Sequence, residues 1–77
     1  MAGPMRYLVV IEHVEGTGYS AWVPDLPGCV AAAGIREECE QLIREAIVLH
    51  VAGMREDGEP IPEPSAVDAT TVQVDAA

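Results

Sequence analysis

The stretch from Tyr19 to Val30, YSAWVPDLPGCV, constrains this chain most, because a strand pattern runs directly into a double-proline turn. Tyr19, Ala21 and Val23 fall on one side of an extended backbone and Trp22 on the other, the alternation of a half-buried strand. Pro24 then lacks the N–H that a ladder needs. In Asp25-Leu26-Pro27-Gly28, a proline supplies a fixed negative φ and a glycine permits a positive one, so the chain reverses before an apolar run resumes at Cys29. A hairpin therefore joins two strands here.

The flanking segments extend this pattern. In Met5 to Val14, Tyr7, Val9, Ile11 and His13 lie on one side of an extended chain, and Leu8, Val10, Glu12 and Val14 lie on the other. Both sides are apolar in the middle, so one helix does not account for all of this strand, and another subunit or a partner is expected on its second face. Glu15-Gly16-Thr17-Gly18 supplies turn residues for the hairpin to the second strand, and Cys29 to Ala33 makes a short third strand of small residues.

From Arg36 to about Met54, Cys39, Leu42, Ile43, Ala46, Ile47, His50 and Met54 recur at helical steps in line with Ile35, a stripe suited to cover the sheet. Glu37 and Glu38 occupy the first turn, where negative charge suits the helix dipole. The helix stops within Arg55 to Gly58, and Pro60, Pro62 and Pro64 impose an extended exit. Thr70 to Val74 alternates again and favours a last strand. The order is β-β-β-α-β, an α+β chain with an antiparallel three-stranded meander, one main helix packed on the sheet and a fourth strand.

The PDLPGC turn, the short apolar strand, the Glu-rich helix REECEQLIREAIVLH and the stop GEPIPEPS, in this order, resemble the HicB-like antitoxin family. The resemblance runs from about Met5 to Val74 and implies a four-stranded sheet with one helix, similar to a reduced ribonuclease-H-like fold. Similar chains begin the helix with a Thr or Ser cap; here Ile35 stands near that place, and Gly34 is the alternative cap. Longer members carry a C-terminal helix-turn-helix or ribbon-helix-helix segment that binds their own promoter. The sequence given ends at Ala77, so the expectation is the partner-binding domain only, with no direct nucleic-acid binding.

Seventy-seven residues are read as one domain with its ordered core over about 5–75. A domain this small buries only about 60% of its unfolded surface, which makes self-association plausible as a source of stability. Thirteen carboxylates against four Arg and no Lys give a net charge of −9, which opposes phosphate binding and suits a basic protein partner. Cys29 and Cys39 have no zinc or C-x-x-C spacing and read as buried small hydrophobes in a reducing cytoplasm. The N-terminus lacks a signal-peptide layout, and no apolar run reaches the length of a membrane span.

No enzyme chemistry emerges. Glu12, Glu38 and Asp75 are the nearest counterparts of a ribonuclease-H-like metal triad, yet Glu12 lies in an apolar strand, Glu38 in an ordinary acidic first turn and Asp75 near the chain end. His13 and His50 have no nucleophile beside them in a suitable context, and no phosphate-binding glycine loop opens the helix. No cofactor and no metal are expected.

The resemblance instead implies an antitoxin that binds and occludes a small basic HicA-type toxin that cleaves messenger RNA. Glu12, Trp22, Asp25, Glu37 and Glu40 are the candidate toxin contacts. Val48, Leu49, Val51 and Ala52 lie outside or at the edge of the core stripe, to be covered by a neighbouring subunit or by the fourth-strand segment. Leu8, Val10, Val48 and Leu49 are thus the candidate contacts of a homodimer or homotetramer. The alternative is a stand-alone oligomeric structural or ligand-binding module without a toxin.

Overall fold

The computed structural model describes residues 4–75. Three antiparallel strands, β1 (Val10–Val14), β2 (Gly18–Trp22) and β3 (Val30–Ala33), form a sheet in that order, followed by one helix, α1 (Arg36–Glu56). The α+β reading of the sequence holds.

The turn chemistry explains the strand ends. Thr17 donates its backbone N–H to the Val14 carbonyl at 3.0 Å, with Gly16 at a φ of 83°, the third-position geometry of a type II turn. After β2, Leu26 bonds back to Val23 and Cys29 bonds back to Leu26, each at 3.1 Å. The second of these turns places Pro27 and Gly28, φ 86°, in its central positions. Between the two turns Leu26 is driven inward and is fully buried.

Strand register fixes two faces. Ile11 pairs with Ala21 and Ala21 with Ala31, while His13 pairs with Tyr19 and Tyr19 with Ala33. These residues and Val23 face α1, whose Cys39 and Ile43 close a buried cluster with Ala21, Val23, Leu26 and Cys29. Small side chains on β3 let α1 pack closely against β3 and β2, while the helix backbone lies farther from β1, whose Ile11 still packs against the core. Both cysteines are free and buried, and burial pushes the Cys29 thiol upward.

The ends of α1 differ in quality. Ile35, not Gly34, occupies the N-cap position with extended backbone and no side-chain hydrogen bond. The C-terminus is closed by a Schellman motif in which Glu59 bonds Met54 and Gly58, at φ 69°, bonds Arg55. Along the expected stripe Ile43 and Cys39 are buried, but Ile35 and Leu42 remain exposed, because the helix rests on β2 and β3 alone.

Two expectations are corrected. The first strand pairs only from Val10 onward, since β2 ends at Trp22 before Pro24 and leaves residues 4–9 without a ladder partner. Thr70 to Val74 form no strand within this chain: residues 67–75 are exposed and bonded to no other segment. The alternating pattern is present, but the preceding strap delivers it away from the free sheet edge.

That strap is residues 59–66. The Tyr7 hydroxyl donates to the Pro62 carbonyl, and the Asp25 carboxylate then receives the backbone N–H groups of Ser65 and Ala66, each at 3.0 Å, and the Ser65 hydroxyl at 2.6 Å. The segment thereby crosses the end of the core from the β1 side to the β2–β3 loop.

Candidate partner-binding site

One sheet face carries α1; the opposite face is uncovered. Strand alternation puts Val10, Trp22 and Val30 on that open face, and the ladder aligns them as one row across the three strands. Trp22 is 41% exposed and Val30 64%, high values for large apolar side chains. Next along β1, Glu12 accepts the Trp22 indole N–H through Oε1 at 2.7 Å. The bond satisfies the indole donor and holds the ring, so a large aromatic surface is displayed with little rotamer freedom left to lose on binding.

The sequence candidates separate into three places. Glu12 and Trp22 come together on the open face. Asp25 lies at the end of the core with its carboxylate engaged by Ser65 and Ala66; these hydrogen bonds, the Ser65 hydroxyl foremost, hold its carboxyl below the ordinary value. Glu37 and Glu40 belong to the start of α1, which packs on the other side of the sheet, and Glu40 pairs with Arg36 at 3.1 Å. Exposed i,i+4 pairs of this kind contribute only a few tenths of a kcal/mol.

Of the candidate self-association residues, Leu8 and Val10 are half-buried on β1 and the segment before it, whereas Val48 and Leu49 are exposed on α1. Val48 borders a groove of about 410 Å³ between the residues preceding β1 and the helix, with Met5, Tyr7, Ile47, Val51 and Ala52 among its walls. Val48, Val51 and Ala52 are legible in the sequence as apolar surface outside the core stripe, but the groove itself follows from the lateral offset of α1.

Among the described residues, no group of three or more His, Cys, Asp or Glu could hold a metal ion. His13 stacks its ring on Tyr19, centroids 4.7 Å apart. Among the described residues, no helix is long and apolar enough to cross a membrane.

The family model described as "HicB_like antitoxin of bacterial toxin-antitoxin system" matches residues 7–77. An uncharacterised 14.9 kDa protein of Haemophilus phage HP1 is 39% identical over 64 residues, covering 83% of this chain and 47% of that protein. Antitoxin HicB 1 of Photorhabdus laumondii is 36% identical over 70 residues, 91% of this chain and 45% of the relative. Antitoxin HicB 2 of the same bacterium is 36% identical over 76 residues, 99% of this chain and 54% of the relative. The chain thus spans about half the length of these relatives.

Proposed function

Because the chain belongs to the HicB-like antitoxin family of bacterial toxin-antitoxin systems, we propose that it binds a small basic HicA-type toxin in the cytoplasm and occludes its RNA-cleaving site. The open sheet face is the docking surface. The observation that carries this reading is the pair Trp22 and Glu12: an exposed indole, fixed by a carboxylate, in an apolar row that no element among the described residues covers. A rigid aromatic anchor beside an acid is the arrangement that serves as an interface hot spot toward a basic partner.

The role is one of binding and not of catalysis. A net charge of −9 steers a cationic toxin toward the chain and repels RNA from the complex, so occlusion has both a steric and an electrostatic part. Glu37 and Glu40 contribute to the long-range field from the far side of the sheet, while Glu12 and Trp22 make contact. Self-association as a dimer or tetramer accompanies this role and draws on Leu8, Val48 and Leu49, with Val10 at the margin shared with the docking face.

The test is an RNA-cleavage assay of the toxin with increasing amounts of this chain. Inhibition that saturates near stoichiometry, and that Trp22→Ala weakens without unfolding the protein, is the expected result. Undiminished cleavage in the presence of excess folded chain would favour a module without a toxin.

A further inference from the structure

Residues 67–75 are an extended arm with a two-sided pattern that nothing among the described residues uses. Val72 and Val74, 78% and 77% exposed, share one side with Thr70, and Thr71, Gln73 and Asp75 share the other. This is the composition of an edge strand with one face packed and one in water. The radius of gyration, 14.6 Å against about 11.5 Å for a compact chain of this length, and the longest dimension of 49 Å against 26 and 18 Å, fit an arm that projects from the body.

The complementary surface lies at the other end of the strap. Residues 4–9 have no ladder partner, and the α1 backbone is offset from β1, so a groove opens beside that edge with Ile47, Val48, Val51 and Ala52 on its helical wall. Two valines two residues apart on a strand are separated by about 6.7 Å, and Ile47 and Val51, four apart on a helix, by about 6 Å along its axis. One strand face can therefore match one helical ridge.

The arm cannot serve its own groove without undoing the strap. Asp25 holds Ser65 and Ala66 at the β2–β3 loop, beyond Tyr7, which holds Pro62. Only residues 67–69 precede the alternating run, about 10 Å of chain at full extension, in which it would have to reverse and recross its own strap.

We infer that the arm is exchanged between two copies of this chain: residues 70–74 of each pair with the free edge at residues 5–9 of the other, and Val72 and Val74 seat against Ile47 and Val51 of that second copy. The reciprocal exchange is an isologous two-fold contact and removes an unpaired edge that would otherwise invite aggregation. It rests on the self-association proposed above and specifies its geometry; toxin docking on the opposite sheet face is independent of it.

The experiment is light scattering of the full chain across micromolar concentrations, beside V72D/V74D, with circular dichroism of both. The expected result is a dimer whose dissociation constant rises roughly 100-fold or more in the double variant, since two desolvated valines are lost, while the fold is kept. Monomeric wild type at high micromolar concentration would overturn the exchange together with the self-association it rests on. A dimer that persists unchanged in V72D/V74D would overturn the arm exchange alone. As a second readout, Q73C chains mixed with R6C chains should cross-link between copies; a Q73C/R6C double variant that bridges only within a monomer would reject exchange in favour of closure onto its own edge.

Discussion

The Asp25 carboxylate receives both the hydroxyl and the backbone N–H of Ser65, at 2.6 and 3.0 Å, across a separation of 40 residues. With the Ala66 N–H on the same oxygen as the Ser65 N–H, this one side chain decides where the segment after α1 leaves the body. Replacing it by alanine removes every acceptor in the clamp. In Asp25→Ala the amides of Ser65 and Ala66 are expected to exchange with solvent as fast as their exposed neighbours, with the core amides of β2 unchanged. Retained protection at Ser65 would show that other contacts hold the strap.

The pH dependence follows with a definite sign. The Ser65 hydroxyl, then the Ala66 amide, and last the Ser65 amide lower the Asp25 pKa from its ordinary 3.8, with desolvation acting the other way. A carboxylate depressed in the folded state contributes stability above its unfolded pKa and loses it as pH falls through the folded value. The strap should thus stay closed from neutral pH down through the ordinary carboxylate value of 3.8 and release only below it. Amide shifts of Ser65 followed by NMR against pH would report this, and release already near neutral pH would assign the clamp to a different group.

The uncapped start of α1 offers a gain in stability. Ile35 is the N-cap, makes no side-chain bond to the helix and is largely exposed. Ile35→Ser should stabilise the fold by about 1 kcal/mol, a rise of several degrees in Tm for a domain of this size. A lower Tm would mean that the isoleucine has a packing role, for instance in an assembly.

Two glycines of the first hairpin should respond unequally. A Cβ on Gly18 would lie 2.5 Å from the Ala33 carbonyl oxygen and 2.9 Å from the Gly34 Cα, at a φ of 119°, whereas one on Gly16, φ 83°, would meet nothing within 4 Å. Gly18→Ala is expected to cost about 2–3 kcal/mol or to prevent folding, and Gly16→Ala only about 1 kcal/mol. Equal losses in denaturant titrations would contradict the close approach of β2 to the end of β3.

How much of this was legible in the sequence depended on whether local chemistry or lateral placement decided the outcome. Alternation at Tyr19 to Val23, Pro-Gly at 27–28 and the helical repeat of Cys39 and Ile43 each dictate their own conformation, and the structure has all three. The Trp22 bond to Glu12 was not predicted, although both were singled out; it requires the register that pairs Val10 with Trp22 and so places residue 12 on the same face. Asp25 is expected from the sequence as a toxin contact, and its clamp on Ser65 is not legible there because that partner lies 40 residues away. The fourth strand failed for a related reason: alternation at Thr70 to Val74 specifies a pleated segment but not the edge it joins, and the strap keeps it from its own.

The decisive measurement is a binding titration of this chain, and of its Trp22→Ala and Glu12→Ala variants, with a small basic HicA-type toxin, at several salt concentrations. Docking on the open sheet face predicts tight binding that weakens with salt, a loss of roughly 2 kcal/mol or more for Trp22→Ala and a smaller one for Glu12→Ala. Absence of binding by the folded chain, or binding indifferent to both substitutions, would contradict it.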